Sequence, residues 1–365
     1  MHYLLHGLLI FFESPCNYIS MSGQENGLQQ APKWADYKLP DLLFTDAVQQ
    51  LHATIGKEWD ALRQSACQTA AGRALWRHVI HDPLADLLAG ETYLRSLHEK
   101  IEKDCINNAS EISGVILAIR TLWIDSRLEE ALHPSHGKET QIVLLGAGMD
   151  GRAYRLSCLK ECDVFEVDLP EVLQMKTSLL QAAVESTNDH QNARVIAKSL
   201  TRVEADIKGN DWLEKLKVSG YVPEKNTVWI LEGILYYLTH PQAMQVLKII
   251  ADKCTTTRTT LLADFMNKPS TSLSNSLFHF YSDWPDHLLP SLGFSHVTLS
   301  QIGDPDAHFG LLHDPSNLFN KLRNLPRSIQ THPDGTPCCR LYLVQASGSP
   351  TQTLEPADLS LNIST

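Results

Sequence analysis

Three glycines that follow an apolar run, Gly146, Gly148 and Gly151 in QIVLLGAGMDGRAYRL, are joined about 20 residues on by Asp168, which closes a second apolar run, DVFEVD. A glycine-bent turn between a strand and a helix start lets backbone N–H groups approach a ligand closely. An acidic side chain closing the next strand can accept from ribose hydroxyls. The spacing therefore predicts a site for an adenosine-containing cofactor. It leaves two chemistries open: a dinucleotide sets its pyrophosphate at the helix N-terminus, whereas S-adenosyl-L-methionine brings an amino-acid end and a sulfonium there.

Two further acids extend this constellation. Asp206, in VEADIKGNDW, lies beyond a third apolar run, where it can accept from an adenine amino group while Ile207 packs on the ring face; the alternative is a plain turn or N-cap carboxylate. Glu232 closes the run VWILE. Ligands of open α/β sheets sit outside the C-terminal strand ends, so a carboxylate there faces the cofactor and can meet an ammonium or a sulfonium. Burial of Glu232 demands a cationic partner. Arg152 and Arg155, just after the glycine turn, read as structural partners for carboxylates of the sheet or of the N-terminal layer.

The elements that must position these residues follow from periodicity. Asp41 to Leu132 carries helical spacing, as in Ile112, Val115, Ile116, Ile119, Leu122 and Trp123, and predicts a helical N-terminal region over 31–135. After the turn HPSHGKET, short β-rich runs alternate with helical stretches over 136–346. The expected strands are Ile142 to Leu145, Val164 to Val167, Ala193 to Ala197, Thr227 to Leu231, Thr259 to Ala263, His296 to Leu299 and Arg340 to Val344. Such alternation predicts a mostly parallel sheet covered by helices on both faces. The last two runs, separated by an excursion with a helix near Ser316 to Leu322, are expected to close it as an antiparallel pair. Residues 1–30 read as a flexible extension and 347–365 as a mobile tail.

Composition narrows the function classes. A chain of 365 residues is long enough for one large domain with an additional subdomain, and 43% hydrophobic with 20% charged residues is ordinary for a globular protein. The formal net charge of -11 argues against nucleic-acid binding, which needs clustered Lys and Arg. Eight cysteines without a CxxC pair read as reduced thiols, which suits a cytoplasmic or organelle-interior protein. Cys338 and Cys339 near His332 fall short of the four ligands of a closed zinc site, so no metal is expected. Leu4 to Phe12 is too short for a membrane span.

The blocks IVLLGAGMDGRAYRL, VFEVDLPEVLQMK and WILEGILYYLTHPQ, in this order, resemble the leucine carboxyl methyltransferase family of S-adenosyl-L-methionine-dependent enzymes, over roughly Gly72 to Val344. The resemblance implies an α/β fold with a Rossmann-like seven-stranded methyltransferase sheet, helices on both faces and a helical N-terminal region. It implies S-adenosyl-L-methionine as cofactor, with Gly146 and Gly148 bordering the methionine part, Asp168 on the ribose, Asp206 and Ile207 framing the adenine, and Glu232 lining the same crevice. It also implies that Arg120, in ILAIRTLWID, pairs with the cofactor carboxylate. A guanidinium fork suits that role, although Arg120 could instead pair with Asp125 on its own helix.

The implied reaction is methyl transfer, with O-methylation of a carboxylate or hydroxyl on a small molecule or protein terminus as the expectation. A carboxylate acceptor needs no general base, whereas an alcohol or phenol does, and no residue is assigned that role. Tyr236 and Tyr237 are placed either at the acceptor pocket or in the core. His287, His308 and His313 lie where acceptor specificity usually diverges in this fold. A nicotinamide-dependent oxidoreductase fits the glycines and Asp168 equally, but a second mononucleotide half is missing and Glu232 stands where nicotinamide would lie. A catalytically silent cofactor-binding protein is the third reading.

Overall fold

The computed structural model describes residues 37–133, 139–187, 194–312, 314 and 316–350. The extension expected over 1–30, His313 and residues 351–365 of the expected tail lie outside them. The sheet has seven strands, β1 (Thr140–Leu145), β2 (Asp163–Asp168), β3 (Ser199–Glu204), β4 (Asn226–Leu231), β5 (Thr259–Met266), β6 (His296–Gln301) and β7 (Leu341–Gly348), in the spatial order β3-β2-β1-β4-β5-β7-β6. The first five are parallel, with Ile142 beside Val164 on one side and Val228 on the other. Strand β7 runs antiparallel between β5 and β6, the closure expected of the last two runs.

Alternation along each strand divides the interior into two cores. Ile142 and Leu144 enter the first, Val143 and Leu145 the second, because successive side chains of a strand point to opposite faces. The first core packs under the N-terminal helices α1 (Asp46–Glu58), α2 (Ala61–Leu75), α3 (Ala85–Ala89), α4 (Glu91–Ile106) and α5 (Val115–Ala131), with the short α6 (Arg152–Arg155) and the long α7 (Pro170–Thr187). The second packs under α8 (Trp212–Val218), α9 (His240–Asp252) and α10 (Pro285–Leu292). A final short helix, α11 (Leu318–Arg323), falls on the excursion where one was expected. The fold is thus the Rossmann-like α/β arrangement with helices on both faces and a helical N-terminal region.

Two boundaries differ from expectation. The run Ala193 to Ala197 is not a strand over its described residues: Ile196 and Ala197 donate their N–H groups to the carbonyl of Ala153, and β3 begins at Ser199. Strand β3 is an edge strand with little burial, so its sequence SLTRVE lacks an apolar run. Ser347 and Gly348, expected in the tail, complete β7 by pairing with Thr260 and Thr259. Among the described residues no helix is long and apolar enough to cross a membrane.

Strand order reverses between β2-β1 and β4-β5, and the crevice outside the C-terminal ends at such a switch point is where ligands of this architecture bind.

Candidate functional site

The crevice is built first by the turn after β1. Gly146 and Gly148 adopt φ of +72 and +49, and a Cβ on Gly146 would lie 2.7 Å from Ile234. The N–H groups of Gly146 and Ala147 donate to the carbonyl of Val167 at 2.9 and 3.2 Å, which lashes the turn to the end of β2. Asp168 completes the lashing: one carboxylate oxygen accepts from Gly148 N at 2.6 Å and the other from Leu169 N at 2.7 Å. Burial raises its carboxyl above the usual range, and those two N–H groups offset only part of that.

Beyond β3, Asp206 is exposed and accepts from Lys208 N at 2.9 Å, so it is a turn carboxylate as well as a residue of the crevice wall; Ile207 beside it is buried. Beyond β4, Glu232 accepts from Arg120 Nε at 3.0 Å and from Arg152 Nη2 at 2.6 Å. Burial opposes its ionisation, but Arg152 and Arg120 outweigh it and hold the carboxyl below the usual range. The cationic partner that burial of Glu232 demanded is therefore double.

Arg120 is 3% exposed, and its Nη1 donates to the Tyr236 hydroxyl and to Asp264, each at 3.2 Å. The alternative pairing with Asp125 does not form. Asp125 is held by Arg152 at 2.7 Å and Arg155 at 2.6 Å, the structural roles expected of those two arginines. Nη2 of Arg120 makes no hydrogen bond among the described residues.

One cavity brings all seven expected residues together: Arg120, Gly146, Gly148, Asp168, Asp206, Ile207 and Glu232 line it jointly. Tyr237 lines it too, whereas Tyr236 is buried behind it against Phe278. The Tyr237 hydroxyl is buried beside Ser65, whose hydroxyl donates to the Leu62 carbonyl and keeps lone pairs that can accept from Tyr237. His287 and His308 are not part of the wall: His287 stacks on Trp284, and His308 Nδ1 accepts from Gly310 N.

Sequence reasoning missed four contributors. Helix α2 presents Leu62, Ser65, Ala66, Thr69 and Arg73 to the cavity, and this i, i+3, i+4 stripe was readable, but nothing in the sequence says which face turns to the sheet. Asp150 pairs with Arg152 and accepts from its backbone N–H at 2.7 Å. Asp82 accepts from Arg73 at 2.7 Å and presses on Gly151, where a Cβ would lie 2.7 Å from its carboxylate. Asp264, on β5, accepts from Gly233 N at 2.6 Å; its place near a strand end is the signal that found Glu232.

These acids weigh against a dinucleotide. The third glycine of the pattern faces a carboxylate, the N-terminus of α6 is already occupied by Asp150, and α6 spans only Arg152–Arg155. A pyrophosphate needs free N–H groups and a helix N-terminus there, not resident anions.

Comparison with known proteins gives the family. The sequence profile described as leucine carboxyl methyltransferase matches residues 66–251. The chain belongs to this family. A Mycobacterium avium protein named as an S-adenosyl-L-methionine-dependent methyltransferase is 29% identical over 197 residues, half of this chain and 60% of that protein. A Frankia alni protein named likewise is 37% identical over 133 residues, 36% of this chain and 43% of that one. The chain thus spans 60% or less of the length of these relatives. Among solved structures, a duf574 family protein from Streptomyces avermitilis aligns over 73% of this chain and 96% of that one, at 10% identity and a TM-score of 0.41.

Proposed function

We propose that this chain is an S-adenosyl-L-methionine-dependent methyltransferase that methylates an oxygen, a carboxylate or hydroxyl of a small molecule or protein terminus. The observation that carries the reading is the convergence of Arg120, Gly146, Gly148, Asp168, Asp206, Ile207 and Glu232 on one cavity at the switch point of the sheet. Family membership and the names of the relatives support it.

In this reading Asp168 takes the ribose hydroxyls, and Asp206 with Ile207 frames the adenine. The Gly146–Gly148 turn borders the methionine part, and Glu232 faces its ammonium and sulfonium. Arg120 offers Nη2, its one nitrogen without a partner among the described residues, to the carboxylate. That free donor, beside acids suited to a cation, is what makes the residues fit this cofactor.

When bound, S-adenosyl-L-methionine supplies a methyl carbon already attached to a leaving group, so the protein's contribution is alignment and exclusion of water. We assign the hydroxyl of Tyr237, a residue of the cavity wall, to the acceptor. Burial pushes that hydroxyl well up, so Tyr237 holds its proton at neutral pH and serves as a donor, not a base. The cavity wall carries no histidine among the described residues, and its carboxylates already serve arginines or backbone N–H groups. This favours an acceptor that arrives ionised, a carboxylate over a hydroxyl.

Calorimetric titration with S-adenosylhomocysteine and with NAD tests the cofactor. Tight NAD binding without a response to S-adenosylhomocysteine would reverse the assignment. Transfer of labelled methyl from the cofactor into a cell extract tests turnover, and a chain that binds S-adenosylhomocysteine but labels nothing is a binding protein.

A further inference from the structure

Asp264 stands outside the cavity wall, fully buried on β5, yet it holds two parts of the site at once. One of its oxygens accepts from Gly233 N at 2.6 Å and the other from Arg120 Nη1 at 3.2 Å. The two donors belong to elements far apart in sequence, the turn after β4 and helix α5. They are also packed on each other: Gly233 has φ of +69, and a Cβ there would lie 3.1 Å from both Nη1 and Nη2 of Arg120. Burying a carboxylate is costly even when paired, so a pair placed at this junction calls for an explanation.

The donor count of Arg120 supplies one. Nε serves Glu232, Nη1 serves Tyr236 and Asp264, and only Nη2 has no partner among the described residues. A planar guanidinium held on two of its edges has its third edge fixed as well. We propose that Asp264 is a positioning residue for the carboxylate of the bound ligand: it clamps Nη1 of Arg120 against the Gly233 turn and so fixes the Nη2 edge as the one offered to the cavity. The inference rests on the cofactor reading above and adds to it the residue that orients the arginine. Tyr236 cannot replace Asp264 in this, because its hydroxyl reaches Nη1 but not Gly233 N. The charged and titratable groups around Asp264 are Arg120 from α5, Glu232 from the end of β4, and Tyr236 and Tyr237 from the turn that follows.

The test compares S-adenosylhomocysteine, which carries the amino-acid end with its carboxylate and ammonium, with 5′-methylthioadenosine, which keeps the adenosine and the thioether but lacks that whole end. In Asp264→Asn one oxygen is replaced by an amide N–H2, which must face either Gly233 N–H or Nη1 donor to donor. The expected result is a dissociation constant for S-adenosylhomocysteine raised ~10-fold, as for one lost charge-assisted hydrogen bond, with methylthioadenosine unchanged within about twofold. Asp264→Glu, which keeps the charge but displaces it, should give the same selective loss and stands in if the Asn variant does not fold. Parallel weakening of both ligands, or an unchanged affinity for S-adenosylhomocysteine, overturns the positioning role alone. A wild-type chain that binds neither ligand overturns the cofactor reading and this inference together.

Discussion

Asp168 uses both carboxylate oxygens on backbone N–H groups, so its effect on a ligand is partly its own and partly that of the Gly148 turn it holds. Asp168→Ala strands both N–H groups, and cofactor affinity should fall by about 1 to 3 kcal/mol, measured as the dissociation constant of S-adenosylhomocysteine. An unchanged constant removes Asp168 from the ribose site. Glu232 sits between two guanidiniums with 12% of its side chain exposed. Glu232→Ala leaves both without their shared anion and should lower stability by about 3 to 5 kcal/mol in urea unfolding; a loss below about 1 kcal/mol would mean that the pair behaves as a surface bridge. Residues of this kind were legible in the sequence because a carboxylate or glycine at a strand end has a position that the topology fixes. Asp264 shares that position class, whereas Asp82 and Asp150 are not readable from sequence, since their roles depend on which arginine a loop brings near. The Arg120 to Asp125 alternative failed for a related reason: both residues lie on the buried side of α5, so each pairs across to another element, whereas the more exposed Arg127 and Glu130 pair along the helix.

Helix α2 acts on the site as an element, through the stripe of side chains it lays over the glycine turn. A Cβ on Gly148 would lie 3.1 Å from that of Ala66, at a φ of +49 that already disfavours any side chain. Gly148→Ala should therefore cost about 1 to 2 kcal/mol of stability from backbone strain alone, read as a lowered urea midpoint with an unchanged slope. Ala66→Leu is the complementary test. Position 66 is half-buried and opens on the cavity, so the larger side chain should weaken S-adenosylhomocysteine by about tenfold or more while the urea midpoint barely moves. Equal loss of stability and affinity would show that α2 is core packing and not a wall of the site. At this scale the sequence was informative wherever strands are central: the apolar runs of β1, β2, β4 and β5 are buried on both faces and announce themselves. Edge strand β3 did not, because Val203 is its one buried residue and the apolar run just before it docks on α6 instead.

Across the whole molecule, buried ion pairs join the helical N-terminal region to the sheet. Arg73 pairs with Asp82, Asp82 reaches Arg155, Arg155 pairs with Asp125, Asp125 with Arg152, and Arg152 with both Asp150 and Glu232. Such a chain makes folding stability depend on acid in a way that can be signed. Burial alone would raise the Asp150 carboxyl, but Arg152 and Arg73 outweigh it and hold it down to about 2, against an ordinary value of 3.8. A depressed carboxyl stabilises the fold at pH values above its unfolded value, and that contribution is lost as pH falls through the folded one. The difference amounts to about 2 kcal/mol. Asp168 and Asp264 are raised by burial and act with the opposite sign, gaining stability as pH falls toward the unfolded value, so the wild-type curve mixes the two effects. The difference between wild type and Asp150→Asn isolates one of them. The variant should be less stable by about 2 kcal/mol at neutral pH, and the deficit should shrink between about pH 4 and pH 2 as the wild-type carboxyl takes up its proton. Urea unfolding of both proteins across that range measures it, and a deficit that stays constant down to pH 2 would show that the Asp150 carboxylate contributes through shape and hydrogen bonding and not through its charge.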